Sequence, residues 1–185
     1  MNSAFPDARA VAGPRVRFSR DAATGRRVLE CSQWVPAPLD RTFEFFADAR
    51  NLEAITPAFL RFAILTRLPI EMREGALIDY RLALLGAPLR WRTRIAAWEP
   101  PHAFTDVQLA GPYAAWIHRH TFERERDGTR VGDRVEYAVP FAPLSAPVEA
   151  WFVRPTLERI FEHRRAAIAR LLAASPPVRF SDTAS

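Results

Sequence analysis

Hydrophobic and polar residues alternate with a period of two through the central third of the chain, which is typical of half-buried β-strands. In the segment 115–126, one face carries two aromatic residues and two histidines: Trp116, His118, His120 and Phe122. The opposite face carries Arg119 and Glu123, which favour solvent. The alternation therefore predicts that both histidines face the interior, where each needs a hydrogen-bonding partner.

Turn residues divide the alternating segments into an antiparallel meander. After a first strand, RRVLECSQWV at 26–35, prolines and glycines delimit six more, at 59–68, 76–85, 89–98, 103–109, 115–126 and 129–140. The dipeptide Asp127-Gly128 predicts a tight hairpin turn between the last two strands. Polar residues oppose apolar ones on most strands, so one face of the sheet is expected to meet water and the other to be covered.

Apolar residues spaced by three and four positions predict helices on either side of this run of strands. Two short helices are expected at 39–47 and 51–55, and a long C-terminal helix at 147–174 is expected to cover the sheet. The apolar stripe of the long helix consists of Val153, Leu157, Ile160, Phe161, Ile168 and Leu171. Pro155 is expected to kink this helix or to begin a new segment, because it lacks a backbone donor.

The two ends of the chain lack this periodicity. Residues 1–25 are predicted to form a flexible N-terminal extension, to which Val16 and Phe18 can add a short edge strand. Residues 175–185 are predicted to form a flexible C-terminal tail. The segment between them, 26–174, is expected to form one domain.

The basic charge of the chain does not indicate a nucleic-acid partner. The formal net charge is +5, and all 26 basic residues are arginines spread along the chain without a dense basic run. Cys31 is the single cysteine, which excludes an intrachain disulfide and favours a reducing compartment. Neither a signal-like N-terminus nor an apolar run long enough to span a bilayer is present, so a cytoplasmic location without stable membrane insertion is expected.

Four segments carry a family resemblance: WVPAPLDRTFEFFADARNLEAITP, PPHAFTDVQLAGPYAAWIHRHTFE, GTRVGDRVEYAVP and LERIFEHRRAAI. They resemble bacterial members of the START-like superfamily, also called SRPBCC or polyketide cyclase/dehydrase-like, and in particular a stand-alone subgroup without well-defined chemistry. The resemblance covers residues 28 to about 173. It implies an α+β helix-grip fold, in which a curved antiparallel sheet of about six to seven strands wraps around the long C-terminal helix, with two short helices after the first strand.

The resemblance also implies a cavity for a hydrophobic or amphipathic molecule between sheet and helix, which makes 26–174 a START-like ligand-binding domain. Inward positions of the strands and one helix residue are the expected ligand contacts: Tyr80, Trp91, Thr93, Asp106, Gln108, Trp116, His118, His120, Asp133, Tyr137 and Phe161. The apolar members are expected to bury the body of the ligand, and the polar members to recognise its polar end.

The pair His118 and His120 leaves three interpretations open. To hold a metal, the pair needs a third ligand, which Asp106 or Asp133 can supply, but no other histidine is expected to face inward. In an enzyme, one histidine would act as general acid or base with Asp106 beside it. We favour a hydrogen-bonded network in which Asp106, Gln108, Asp133 or Tyr80 hold both histidines as structural or ligand-orienting groups, and we expect neither a metal nor a cofactor.

The function indicated by the sequence is binding of a small hydrophobic or amphipathic molecule, and no protein partner is indicated. One alternative is a cofactor-independent cyclase, dehydratase or isomerase that uses a His/Asp pair of the cavity. Another is a co-chaperone-like module that binds protein through the outer sheet or a hydrophobic lip at Trp151 and Phe152. A glycine-rich phosphate loop and the GxSxG motif are missing from the sequence, which argues against nucleotide binding and nucleophilic hydrolysis.

Overall fold

The structure, a computed structural model, describes residues 16–84, 86–141 and 144–173. In chain order, strands β1 to β8 are Arg17–Arg20, Arg27–Val35, Ala63–Ile64, Leu77–Leu84, Ala87–Glu99, Ala103–Ala110, Ala115–Glu125 and Gly128–Ala138. They form one open, curved antiparallel sheet in the order β1-β2-β8-β7-β6-β5-β4-β3. The strands from β3 to β8 are a meander, and β2 returns to pair with β8.

Helices flank the meander as predicted. Two short helices follow β2: α1 (Leu39–Ala47) and α2 (Asn51–Ala54). The C-terminal helix consists of three successive pieces: α3 (Ala146–Val148), a π-helical turn (Glu149–Val153) and α4 (Arg154–Ala173). The π-helical turn ends just before Pro155, whose missing amide hydrogen cannot complete a regular helical bond. The new segment predicted at this proline is present, since α4 begins at Arg154, and the α+β helix-grip architecture is confirmed.

The strand expected at 59–68 is much shorter than predicted. That segment is a 3-10 turn at Ala58–Leu60 followed by β3, which has two residues. β3 forms one edge of the sheet. Just after it, the amides of Leu65 and Thr66 both donate to the carbonyl of Asp79, which ends the ladder. The sheet nevertheless has eight strands instead of six to seven, because β1 adds an edge strand next to β2.

The edge strand expected at Val16 and Phe18 is present as β1, so the sheet begins within the segment predicted to be an extension. Residues 1–15 of that extension and the tail predicted at 175–185 lie outside the described residues. Within the described ranges, no helix combines the length and apolar character that crossing a bilayer requires.

Two apolar clusters pack between the sheet and α4. The first, here called the aromatic cluster, contains four buried phenylalanines that pack with the C-terminal half of α4: Phe43, Phe46, Phe104 and Phe122. The second packs on the N-terminal half of α4 and includes Leu29, Val135, Tyr137, Leu157 and Phe161. Buried histidines of β7 lie where the clusters meet, since the His118 ring is 5.6 Å from that of Phe161 and the His120 ring is 4.2 Å from that of Phe104.

The hairpin turn between β7 and β8 lies one residue earlier than Asp127-Gly128. Glu125 pairs with Gly128, which leaves Arg126 and Asp127 as the turn residues, and Arg126 has a φ of 56°. Gly128 is therefore a strand residue. Glycine is needed at this position for a steric reason, because a Cβ would overlap the carbonyl oxygen of Val35.

Gly128→Ala is expected to lower the free energy of unfolding by about 1–3 kcal/mol, because the added methyl group meets β2 backbone and the Trp34 ring, which lies 2.7 Å away. Gly132→Ala is the matched control on the same strand, since its Cβ meets only the Thr121 side chain, which can rotate. Neither glycine has a left-handed φ, so both substitutions test space alone. Urea-induced unfolding of both variants measures the difference, and equal losses would contradict the steric role of Gly128.

Candidate functional site

A cavity of about 200 Å³ lies between the concave face of the sheet and α4. Strands β4 and β5 contribute mostly apolar side chains to its wall: Ile78, Leu82, Leu84, Leu89, Trp91 and Ile95. The short helices and α4 add further apolar side chains: Phe45, Phe46, Leu52, Ile55, Leu157, Ile160 and Phe161. Within this apolar wall, β6 and β7 place three ionisable side chains: Asp106, His118 and His120.

Two aspartates and two histidines form a buried cluster, here called the Asp/His quartet: Asp106, His118, His120 and Asp133. His118 Nε2 and His120 Nδ1 each lie 2.9 Å from Asp133 Oδ1. Asp106 Oδ2 lies 3.2 Å from His120 Nε2 and 3.7 Å from His118 Nδ1. Each imidazole therefore lies between two carboxylates. The His120 Nδ1 contact is close but poorly aligned, and that nitrogen has no hydrogen bond within the described part of the chain.

Strand register explains how the quartet forms. Asp106 on β6 lies directly opposite His118 on β7, and His120 lies directly opposite Asp133 on β8. Directly opposed side chains on one face of a sheet have Cβ atoms about 4.5–5.5 Å apart. Since residues two apart on a strand share a face, the HxH spacing brings both cross-strand pairs together as one block.

The two histidines differ in their proton affinity because their surroundings differ. Burial lowers the pKa of His118, and the nearby charge of His120 adds to that effect. Burial also opposes the charged form of His120, but contacts with Asp106 and Asp133 raise its pKa above the ordinary value. Burial alone would raise the pKa of Asp133, yet its contacts with both histidines and the charge of Arg164 hold that pKa well below the ordinary value. Asp133 is therefore ionised at neutral pH, and His120 keeps its proton to a higher pH than His118.

Tyr80, Trp91 and Thr93 form a second polar group in the cavity wall. Trp91 Nε1 donates to the Thr93 hydroxyl at 3.0 Å, and the Tyr80 hydroxyl lies 2.9 Å from the same oxygen. Burial raises the pKa of Tyr80, and the charge of Asp106 adds to this effect, so the phenol stays protonated. The rings of Tyr80 and Trp91 are stacked, with centroids 6.0 Å apart, and give the wall a flat aromatic surface.

Arg164 on α4 is a site residue that the sequence analysis missed. It borders the cavity, its guanidinium carbon lies 5.7 Å from the centre of the Phe46 ring, and its charge acts on Asp133. Its Nε is buried and has no hydrogen-bond partner among the described residues. The sequence carries the signal for this position, because Arg164 is three residues after Phe161 and four before Ile168 and so falls on the apolar stripe.

Eight of the eleven predicted ligand contacts border the cavity: Tyr80, Trp91, Thr93, Asp106, Trp116, His118, His120 and Phe161. Gln108, Asp133 and Tyr137 do not, although their strands face the predicted way. Gln108 fastens the β6–β7 loop by donating from Nε2 to the Tyr113 carbonyl at 2.7 Å. Tyr137 donates to Glu149 Oε1 at 2.9 Å, and Asp133 holds the histidines. These three side chains support the cavity wall without bordering it.

The lip predicted at Trp151 and Phe152 is not part of the cavity wall. Trp151 lies in the π-helical turn and is 85% exposed, whereas Phe152 is half-buried. The indole of Trp151 therefore faces solvent and not the cavity.

Asp106, His118 and His120 bring three potential metal ligands together. One ligand atom from each residue lies within 4.8 Å of the other two. Asp106 is one of the two carboxylates expected to be able to supply a third ligand to the histidine pair, although no metal was predicted. Two imidazoles and one carboxylate form a donor set that suits Zn²⁺ or Fe²⁺.

Solved structures of low sequence identity share this fold. A protein from Mycobacterium smegmatis is 21% identical, with a TM-score of 0.63 over 86% of this chain and 98% of that chain. A protein from Arthrobacter aurescens is 13% identical, with a TM-score of 0.64 over 92% of this chain and 99% of that chain. A major latex-like protein from Panax ginseng is 13% identical, with a TM-score of 0.55 over 78% of this chain and 96% of that chain.

Among curated proteins, none matches the chain. A family model does match, over residues 35–169, and its description is polyketide cyclase/dehydrase and lipid transport. The matched residues make up more than half of the chain and include the cavity wall, the quartet and most of α4. The chain therefore belongs to the polyketide cyclase/dehydrase and lipid transport family.

Proposed function

We propose that the protein binds a compact, mainly apolar molecule with one polar group in the cavity between the sheet and α4. The observation that carries this proposal is a polar patch in an apolar wall, where Asp106, His118 and His120 face the cavity from the sheet and Arg164 faces it from the helix. A few convergent polar groups among aliphatic and aromatic side chains are typical of small-molecule sites. Membership of a family that includes lipid transport proteins supports the same ligand class.

The volume of the cavity limits the size of the ligand. At about 200 Å³, it is smaller than the roughly 300–1,000 Å³ of sites that take drug-sized molecules. We therefore infer a ligand with a single ring, two fused rings or a short branched chain, and not a lipid with full-length acyl chains.

The polar group of the ligand is inferred from Arg164. Its buried Nε is a donor without a partner among the described residues, and an unsatisfied buried donor costs free energy that a ligand oxygen would recover. A carboxylate is the acceptor that a guanidinium binds best. The favoured ligand is accordingly a compact aromatic or alicyclic acid.

Arg164→Met is expected to weaken the binding of 2-naphthoate, a compact aromatic acid used as the probe, by about 10–100-fold. The reason is that a hydrogen bond to a charged group contributes roughly 1.5–3 kcal/mol, and methionine keeps the apolar stem but not the donors. Calorimetry and quenching of tryptophan fluorescence measure the affinity, since Trp91 and Trp116 border the cavity. Naphthalene lacks the carboxylate and is expected to bind both proteins about equally.

Arg170→Met is the matched control, because Arg170 lies on the same helix and is exposed. It is expected to bind 2-naphthoate as the unmodified protein does. The proposal fails if the unmodified protein binds neither probe, or if both arginine variants lose the same affinity. Native mass spectrometry of freshly purified protein gives an independent reading, since a resident ligand is expected to co-purify with it.

A cofactor-independent cyclase, dehydratase or isomerase is the second candidate, and His118 favours it. This histidine is buried, borders the cavity and is held at Nε2 by Asp133 at 2.9 Å. An imidazole oriented by a carboxylate is a common general acid or base. Conversion of a bound ligand by the unmodified protein, lost in His118→Gln while binding persists, would distinguish catalysis from binding alone.

A further inference from the structure

We propose that Asp106, His118 and His120 form a site for a divalent transition-metal ion, and that Asp133 orients both histidines for it. Asp106 Oδ2 lies 3.2 Å from His120 Nε2 and 3.7 Å from His118 Nδ1. Around a tetrahedral Zn²⁺ with bonds of about 2.0–2.2 Å, neighbouring ligand atoms are roughly 3.3–3.6 Å apart. Both separations from Asp106 are close to this spacing. All three ligand atoms lie within 4.8 Å of one another, so the two rings move closer together around a bound ion.

Asp133 is placed to give both histidines the support that metal-bound histidines usually have, through a hydrogen bond to His118 and a close but unaligned contact with His120. The two ring nitrogens that face away from Asp106, His118 Nε2 and His120 Nδ1, each lie 2.9 Å from Asp133 Oδ1. Histidine ligands commonly donate their second N–H to a carboxylate, which fixes the tautomer and the orientation of the ring. In that tautomer, the lone pairs of His118 Nδ1 and His120 Nε2 both point to the side of Asp106.

Two aligned hydrogen bonds connect the histidines of the quartet to its aspartates. His118 Nε2 lies 2.9 Å from Asp133 Oδ1, and His120 Nε2 lies 3.2 Å from Asp106 Oδ2. His120 Nδ1 has no aligned hydrogen bond among the described residues, and His118 Nδ1 is 3.7 Å from Asp106 Oδ2, beyond hydrogen-bonding distance. Metal binding therefore requires His120 to turn its N–H from Asp106 to Asp133, which frees Nε2 for the ion.

The site has an open side. Asp106, His118 and His120 border the cavity but Asp133 does not, so a fourth coordination position faces the cavity. Arg164 borders the same space and favours an anionic group there. Two histidines, one carboxylate and an open position suit Zn²⁺ or Fe²⁺. This inference does not depend on the proposed function, because an ion can bind here whether or not the cavity takes an organic acid.

The test is a titration of chelator-treated protein with Zn²⁺, followed by calorimetry, and with Co²⁺, followed by absorption spectroscopy. One equivalent is expected to bind with a Kd of about 1 μM or lower, and bound Co²⁺ is expected to show the intense visible bands of a four- or five-coordinate ion. Asp106→Asn is expected to weaken binding by more than about 100-fold, and Asp133→Asn by about 10–100-fold, the usual loss for a residue that orients a ligand.

His163→Gln is the control, because His163 is an exposed histidine on α4 that lies outside the quartet. It is expected to bind Zn²⁺ as the unmodified protein does. Circular dichroism verifies that each variant is folded. The Co²⁺ spectrum of the unmodified protein tests the site without relying on any variant. The proposal is overturned if that protein binds neither Zn²⁺, Co²⁺ nor anaerobic Fe²⁺ stoichiometrically, if bound Co²⁺ is six-coordinate, if folded Asp106→Asn keeps full affinity, or if His163→Gln loses it.

Discussion

Asp133→Ala is expected to lower the free energy of unfolding by about 3–5 kcal/mol, the usual loss when one partner of a buried ion pair is removed. Asp133 is 7% exposed, and its Oδ1 lies 2.9 Å from a nitrogen of each histidine. Without the carboxylate, His118 retains a buried N–H without an acceptor, and His120 loses a contact that stabilises its charged form. Urea-induced unfolding in the presence of a chelator measures the loss without a contribution from bound metal.

Asp79→Ala is the matched control for this prediction. Asp79 is likewise one partner of an ion pair, with its Oδ1 2.7 Å from Arg92 Nε, but the side chains of Asp79 and Arg92 are 38% and 52% exposed. Exposed pairs of this kind contribute about 0–1 kcal/mol, so a small loss is expected. Similar losses in the two alanine variants would show that burial does not strengthen the quartet. Asp133→Asn keeps one acceptor oxygen and is expected to fall between them.

The sequence predicts which side chains of the central strands face the interior, because charged residues alternate with apolar or aromatic ones. On β7, His118 and His120 are 5% and 2% exposed and Phe122 is fully buried, as the opposite positions of Arg119 and Glu123 require. The helix α1 begins and ends at the predicted residues, because Pro38 precedes it and its apolar residues recur at helical spacing. Local chemistry is sufficient for these features.

Contacts between strands are not predictable in the same way. A shift of two residues in the register of β7 and β8 would separate His120 from Asp133, yet every side chain would keep its face. Gln108 shows the same limit, since its amide bonds to the Tyr113 carbonyl across a loop whose path the alternation does not determine. The sequence therefore predicts which residues face inward but not which of them touch.

Arg164 shows a different limit. Charged residues are mostly exposed, so an arginine within the run EHRR is expected to be solvated. Its place on the apolar stripe becomes informative only when the opposing face of the sheet contains a cavity, because a solid core would exclude the guanidinium. Helical spacing predicts that the Arg164 side chain points toward the sheet. It does not predict the cavity, which depends on the curvature of the sheet.

Phe122→Ala is expected to cost about 3–5 kcal/mol of unfolding free energy, through lost burial and the void that alanine leaves. Phe122 is fully buried at the centre of the aromatic cluster. Its ring centroid lies 4.9 Å from that of Phe46, 5.4 Å from that of Phe43 and 6.0 Å from that of Phe104. Urea-induced unfolding measures the loss, and an unchanged slope against denaturant verifies that the same surface is exposed on unfolding.

Phe141→Ala is the control, since Phe141 is 85% exposed and its loss is expected to change stability by no more than about 0.5 kcal/mol. The comparison also tests the packing that lies behind the His120 ring. Phe104 stacks on the His120 ring with centroids 4.2 Å apart, and Phe122 packs behind Phe104. If Phe122→Ala were folded and as stable as Phe141→Ala, the aromatic cluster would not support this ring. The contacts of His120 with the two carboxylates would then have to hold it in place alone.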